Sequence, residues 1–582
     1  MVYRPPDLAG AAPPVWGDRT AEPASGRRRG ARPRSRPQAG PADEGQDHRP
    51  RTDSLAPITQ PVSKERRRII SAATVILVVY ALSRLLGYVR DVVIANTFGT
   101  GNRLDDYQVA FRVPDLLFNL LLAGAISSAF IPVLAEHLAR NEPERARQIA
   151  QRVLNLAMLV LTLGAALLFA LAPFFISVTV LGRDYTAQDH ELIVSLTRIL
   201  LLQPIFLGAG GLVIGILTAH QRFYGQAPAP LVYNLAIIVA AVFFAPRFGV
   251  SALAWGVVIG AILHLGVQLP SLWRTGWRPR PDFDWHDPGV RKVARLMFPI
   301  ALGLAAAQVN FFVDTFLATQ LPHGRASALK YADTVAQVPL GTFSQALAFV
   351  LFPFLSRDAA LNAIDSIRHR TALAIRLNIF TLVPASAGLA VLSVPIVALL
   401  FQRGQFTAES TRQTALALVF FTFGLTSQAA TALLVRVFYA LQDVRTPLRI
   451  AAVVVAVNLI TNLVLVRTPL AQGGLALGTS IAATLNAVLL ARVLHRRLGG
   501  IESGDIARSA GRALLAVLPM AALAFVLFQV LLSGSAGSDL RHLAIVLVII
   551  PLAGLTYVAI QRILGSEELG VLLSAVRPGS KG

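Results

Sequence analysis

From Ile69 onward, apolar runs of about 20 residues follow one another with only short polar breaks. Each is long enough to cross a hydrocarbon core of ~30 Å as a helix. Lipid supplies no hydrogen-bond partners, so a spanning segment must satisfy its own backbone, and runs of this length can do so only as α-helices. The spacing predicts spans at 69–95, 106–134, 153–182, 191–218, 228–246, 250–273, 295–320, 328–356, 372–402, 411–441, 446–467, 473–495, 511–533 and 542–564. That is about fourteen transmembrane helices in an all-α polytopic membrane protein. Hydrophobic residues make up 54% of the 582 positions and charged residues 15%, against roughly 25% charged in soluble proteins. A mean hydropathy of +0.59 cannot be hidden inside soluble cores.

The net charge of +21 would suit a nucleic-acid binder, but its placement points to the membrane. Residues 1–68 hold fourteen Arg and Lys against eight acids, with no apolar run and no signal-peptide core. They read as a disordered basic tail able to touch anionic lipid. With that tail inside, the inner loops carry twenty-two cationic residues and the outer loops nine. The excess predicts that both termini face the cytoplasm and that no nucleic acid is involved. No cysteine is present, which excludes disulfides, thiol nucleophiles and Cys-bound metal.

The chain also hints at a repeat. The second span reads YQVAFRVP and later closes on IPVL, and the eighth reads YADTVAQVP and closes on FPFL. Tyr107 and Tyr331, Val113-Pro114 and Val338-Pro339, and Pro132 and Pro353 therefore correspond, six helices apart. The expected organisation is the tail (1–68), an N-terminal lobe (69–274), a cytoplasmic linker (275–294), a pseudo-symmetric C-terminal lobe (295–497) and a final helix pair with a C-terminal tail (498–582). A parallel repeat of this kind places a binding site at the lobe interface.

Ionisable residues inside the bilayer are expensive and mark function. In SRLLGYVRD, Arg84, Gly87, Tyr88 and Asp91 share one helix face, with Arg90 close by. Two guanidinium forks around a glycine suit a diphosphate, which offers acceptors on two phosphorus centres. The alternatives are an interfacial Arg90–Asp91 pair, and a salt bridge from Arg84 to Asp314 or Asp333. Arg112 and Asp115 stand at i, i+3 spacing and could pair locally. Gln308, Asn310 and Asp314 in the seventh span, with Ser327, Lys330 and Asp333 at the eighth, put polar groups in the outer half of the second lobe. Arg198 and Arg436 are isolated cations. Asp105-Asp106 reads either as solvated loop acids or as the acidic motif of a polyprenyl-phosphate glycosyltransferase. No nucleotide-binding or hydrolytic motif occurs, which leaves membrane potential, an ion gradient such as that of a monovalent cation, or consumption of the product outside as the energy source.

The segments SRLLGYVRD, FGTGNRLDDYQVAFRVPDLL, GAISSAFIPVL, GILTAHQRFYGQAPAPLVYN, YADTVAQVP, LFPFLSR and FYALQDVRTPLRIA resemble the MurJ/MviN family of lipid II flippases in the MOP exporter superfamily. The resemblance implies a central cavity lined by helices 1, 2, 7 and 8, a lipid groove at helices 13 and 14, and alternating access. It implies an undecaprenyl-diphosphate peptidoglycan precursor as substrate, no cofactor, and cell-wall synthesis proteins as partners, at the bacterial cytoplasmic membrane. By motif, Arg84 and Arg90 match the family's diphosphate arginines, Asp105 matches the acid between helices 1 and 2, and Ser327 and Asp333 match the start of helix 8. Four positions depart: Phe118-Asn119 and Thr334 stand where the family has arginines, and Ala123 where it has glutamate. Anion affinity then depends on whether Arg112, Arg325 or Lys330 substitutes. Other readings are a flippase for another polyprenyl-diphosphate glycolipid, a cation-coupled small-molecule exporter, or the glycosyltransferase.

Overall fold

The computed structural model describes residues 62–121, 129–180, 184–532, 543 and 545–576, without the side chains of 62–77, 120–121, 299–312, 349, 531–532, 545–546 and 575–576. The basic tail up to residue 61, Ala123, and the side chains of Gln308 and Asn310 lie outside the description. In the described part the chain is a succession of antiparallel helices. The first stretch runs through α1 (Val62–Phe98), α2 (Asn102–Leu121), α3 (Ile131–Ala139), α4 (Pro143–Thr179), α5 (Ala187–Leu200), α6 (Leu202–Ala219), α7 (Ala229–Val239), α8 (Ala245–Phe248), α9 (Ser251–Gly266) and α10 (Leu269–Trp273). The second runs through α11 (Pro288–Ala318), α12 (Arg325–Pro339), α13 (Gln345–Ala360), α14 (Ile364–Val391), α15 (Ser393–Phe401), α16 (Ala408–Ala440), α17 (Arg445–Leu465) and α18 (Gln472–Leu498). It closes with α19 (Ser503–Leu532), α20 (Ile550–Ile563) and α21 (Glu567–Val576).

Among the described residues, ten helices are long and apolar enough to cross a membrane, or up to eleven if a bent pair at 547–574 counts as one. Over the described residues the predicted spans fall on helix, with ends that differ by up to about ten residues, and the ten or eleven spans are fewer than the fourteen expected. Several spans are built from consecutive helices: α5 with α6, α7 with α8, α12 with α13. Two of these joints are π-turns, at Ala240–Phe244 and Leu340–Ser344, and a third π-turn, Ile545–Ile549, leads into α20. Pro246 and Pro551 follow two of the turns. A proline ring collides with the carbonyl four residues back, here inside the turn, and the wider ladder absorbs the collision.

Large apolar side chains cover the outside, as a lipid-facing surface requires: Phe243 is 72% exposed, Phe174 62% and Leu518 67%. Buried clusters show how the helices assemble. One packs the first stretch, around Phe130, Ile149 and Leu212, against Trp277 of the linker and Val290 and Val293 of α11. Another lies within the second, around Leu355, Leu434, Phe438 and Leu494. A third, around Leu104, Tyr107, Tyr331, Phe401 and Phe406, joins the two. The last helices pack on α14 through Phe380, Met520 and Tyr557, and the Tyr557 hydroxyl donates to the Phe380 carbonyl (2.9 Å).

Candidate functional site: a charged cavity beneath a latch

The two stretches are fastened together where α1 meets α2. The loop after α1 inserts between α12 and α16: the Gln405 amide donates to the Asn96 carbonyl (2.9 Å), and the hydroxyls of Thr100 and Ser410 lie 2.7 Å apart. Asp105, 1% exposed, accepts from the backbone of Gly324 (2.6 Å) and Ser327 (2.8 Å) and from the Ser327 hydroxyl. The first amides of a helix have no partner within it, and a carboxylate there satisfies them and complements the dipole. Asp105 thus does the work of an N-cap for α12, supplied by α2 from the other stretch. Gly324 takes φ +89°, and a Cβ there would crowd the Thr100 carbonyl. Thr319 donates to the Thr179 carbonyl (3.1 Å) and His323 bonds the Asp184 carbonyl (2.9 Å). We call this the latch end. The prediction that Asp105 and Asp106 are solvated is corrected: both are buried, Asp106 completely. Because all of Asp105's bonds go to the protein, its carboxylate is not available as an enzyme's acidic motif.

The opposite end, which bears the linker, is fastened differently. Asp287 caps α11 by accepting from Gly289 (2.6 Å) and Val290 (3.3 Å) and also takes Arg145 (2.9 Å) and Arg152. Arg152 reaches Asp282 as well (2.8 Å). The Arg152 hydrogen bond holds the Asp282 carboxyl below the usual carboxylate range. At Asp287 burial pushes upward, but the Arg145 bond and the two amides outweigh it and the net direction is down. Among the described residues, every hydrogen bond between 62–274 and 319–498 lies at the latch end.

Between the ends sits a cavity of about 390 Å³. One face of α2 supplies Tyr107, Gln108, Phe111, Arg112, Asp115, Phe118 and Asn119, at the spacing of a helical stripe. Arg90 and Asp91 of α1, Gln203, Tyr233 and Lys330 complete its polar lining. A smaller cavity of about 110 Å³ adjoins it, lined by Asp314, Asp333 and Thr479. Gln108, Arg112 and Lys330 border both.

The predicted site residues fall into three groups. Arg90, Arg112, Lys330, Asp314 and Asp333 line the cavities. Asp105 and Ser327 form the latch. Arg84 lines neither cavity: its exposed side chain lies over Gly341 in the π-turn after α12, where a Cβ would overlap the guanidinium. The predicted salt bridge from Arg84 to Asp314 or Asp333 does not form; Asp314 accepts from Asn462 (2.6 Å) and Asp333 from Gln337 (3.2 Å). Arg90 is held by Asp91 (2.7 Å) and Asn234 (3.0 Å), so the Arg90–Asp91 pair exists, inside the cavity. Arg112 and Asp115 share the cavity without pairing, and the Arg112 Nε is buried without a partner. Of the three cations expected to replace the family arginines, Arg112 and Lys330 face the cavities beside Phe118-Asn119, whereas Arg325 turns to Gln472 (3.0 Å). Thr334 bonds its own helix at the Lys330 carbonyl (3.0 Å). Arg198 stacks on Phe169 and Arg436 bonds Gln345, both packing roles.

Sequence reasoning passed over Asn234, Asn458, Asn462 and Gly341. The asparagines had a signal: a lone amide in LVYNLAIIV or VNLITNL is costly in lipid and needs a partner. Gly341 had none, because its role exists only in contact with Arg84.

A helical membrane protein with a charged cavity closed at one end has the architecture of a transporter. A sequence model described as "Lipid II flippase MurJ" matches residues 94–544, and the chain belongs to that family. It is 33% identical over 440 residues to a probable lipid II flippase MurJ of Vibrio cholerae, covering 74% of this chain and 83% of the relative. It is 32% identical over 424 residues to the lipid II flippase MurJ of Burkholderia cenocepacia, covering 72% and 82%. In fold it is similar to a lipid II flippase MurJ solved in an inward closed conformation (TM-score 0.68, 23% identity, 84% of this chain and 98% of that one). A multidrug resistance MATE family transporter of the MOP superfamily, solved facing inward, also shares the fold (TM-score 0.59, 13% identity, 72% and 96%). The apolar helices and these relatives make it a multi-pass protein of the bacterial inner membrane.

Proposed function

We propose that the protein is a flippase that moves lipid II, the undecaprenyl-diphosphate-linked peptidoglycan precursor, from the inner to the outer leaflet by alternating access. It is a transporter rather than an enzyme. The observation that carries the reading is the cavity with Arg90, Arg112 and Lys330 on its wall, in a chain of the lipid II flippase family. Cations held in a low-dielectric cleft favour a diphosphate over the zwitterionic lipids around it. Arg112 and Lys330 border both cavities and stand where the missing family arginines would act; Arg90 backs them, and Arg84 meets the headgroup beside the π-turn. The positive-inside pattern favours the linker end in the cytoplasm and the latch end outside, and in that orientation the closed latch bars the cavity from the outer side. If transport is coupled to a monovalent cation, Asp314 is the carboxylate we assign to it: it borders the smaller cavity beside Asp333 and Thr479, and binding would require the Asn462 amide, which now donates to it, to turn its oxygen inward.

The test is outer-leaflet exposure of lipid II in cells depleted of their own flippase, read by a periplasmic enzyme that cleaves only exposed lipid II. The expected result is restored cleavage, lost again in Arg84→Ala and Arg112→Ala with both variants still inserted in the membrane. Absence of cleavage with the parent protein in the membrane would overturn the substrate assignment.

A further inference from the structure

The latch buries one carboxylate that takes no part in its fastening. Asp106 is 0% exposed, and neither of its oxygens accepts a hydrogen bond from any described residue. Its nearest cation is Arg103, whose Nη1 lies 3.7 Å from Oδ2, too far for a hydrogen bond, and leans instead on Asp189 at 3.4 Å. Across from it, in the loop before α12, is His323. The ring of His323 packs on Tyr185 at 4.5 Å, its Nε2 bonds the Asp184 carbonyl, and its Nδ1 is buried without a partner. The charged and titratable groups that face Asp106 are therefore Asp105 and Arg103 from its own helix, Asp189 from α5, Tyr185 just before α5 and His323 from the other stretch. Three carboxylates meet one guanidinium and one imidazole, and two orphaned polar groups stand on either side of the seam between the stretches.

An ionised carboxylate without hydrogen bonds is strongly disfavoured away from water, and a neighbouring carboxylate disfavours it further. An acid proton removes both penalties. We propose that the latch is a proton-binding site: closing it takes up one proton, held on Asp106 and tuned by the nearby His323, and opening it releases that proton to the outside. Asp105 fastens the latch and Asp106 reports on the medium. The two adjacent acids thus divide the work, the first saturated by α12 and the second left with no partner. Opening hydrates Asp106, which then ionises, so high external pH favours the open latch and low pH the closed one. One proton linked to closure changes the closed-to-open ratio by up to tenfold per pH unit. The proposal rests on alternating access but not on the identity of the substrate.

The absence of native cysteines makes a direct test simple. Gln188 and Ala408 are exposed, stand at the latch end on opposite stretches, and play no part in the fastening. Gln188→Cys and Ala408→Cys in the full chain, spin-labelled and reconstituted into phosphatidylethanolamine–phosphatidylglycerol nanodiscs, report the distance across the latch by double electron–electron resonance. We expect the short-distance population to fall as pH rises from 5.5 to 8.5, in sodium and choline buffers alike. Asp106→Asn, which keeps the shape of the protonated acid, should stay closed across that range, and His323→Gln should shift the transition without abolishing it. A latch that ignores pH but opens in an Asp105→Ala background overturns the proton site alone. Closure that follows sodium at fixed pH overturns it in favour of a metal cation. A latch shut at every pH even in Asp105→Ala overturns alternating access, and the proposal with it.

Discussion

The two ends of the molecule use the same chemistry to opposite effect. At each, an aspartate with almost no exposed surface caps the start of a helix that enters the membrane. Asp287 caps the helix it immediately precedes and gathers Arg145 and Arg152 from α4. Asp105 caps α12 from a position 222 residues earlier in the chain. A local cap stabilises the fold whichever way the protein faces. A cap supplied across the seam stabilises only the conformation in which the seam is shut. The difference lies in what each set of bonds ties together. The latch joins 62–274 to 319–498, whereas the linker-end bonds tie the start of α11 to α3 and α4 through Arg145, Arg152 and the Lys292–Glu136 pair, and survive opening of the latch because α11 stays with those helices.

Asp105→Ala should break this comparison most severely. Two buried amides at the start of α12 would lose their acceptor, at ~1–3 kcal/mol each. The whole of that loss falls on the closed state, so the closed-to-open ratio should drop by roughly a hundredfold. Distances between spin labels across the latch would lengthen, while the thermal midpoint changes little. An unaltered distance distribution would mean that the fastening resides elsewhere in the latch.

Asp287→Ala is the mirror experiment. It removes a cap worth ~1 kcal/mol and leaves Arg145 without its carboxylate, while Arg152 keeps Asp282. The expected result is a fall of several degrees in the thermal midpoint with the latch distance unchanged. If this variant also opened the latch, the ends would be coupled and the division between them wrong.

Between the ends, Arg84 over Gly341 is a contact of the two stretches that involves no hydrogen bond. In Gly341→Ala the new methyl meets the mobile tip of an arginine, which swings away at little cost in stability. Lipid II exposure should fall severalfold while the melting temperature stays within about two degrees. A large loss of stability would show that the guanidinium is fixed in place.

How far these features can be read from sequence follows from the range of the interactions. The spans were legible because lipid forces each apolar run to satisfy its own backbone, a constraint contained in some 20 consecutive residues. Asp105 and Ser327 could be singled out, but not that one caps the other, and burial of Asp106 reversed the expectation drawn from its loop-like surroundings. Arg84 was placed with Arg90 because they share a helix, and the structure separates them, since the cavity beside Arg90 is completed by Gln203, Tyr233 and Lys330, each more than 100 residues further along the chain.

The smallest expected effect is the acid sensitivity of the linker end, and its sign differs from that of the latch. Asp282 and Asp287 are held below the ordinary carboxylate range, chiefly by hydrogen bonds from Arg152 at the first and, against the opposing effect of burial, from Arg145 at the second. A carboxyl with a depressed folded-state value contributes stability above its unfolded value, ~3.9, and loses it as pH falls through the folded value. The linker end should therefore be indifferent to pH between 8 and about 5 and weaken only below about 4. About a third of the Asp282 side chain is in solvent, so its share is under ~1 kcal/mol. Acid thus loosens the end whose carboxylates are hydrogen-bonded and tightens the end whose carboxylate is orphaned. Thermal melting from pH 8 to 3.5, run beside the latch distance, separates the two: an Asp282→Asn variant should lose a degree or so of the acid-dependent change and none of the latch response.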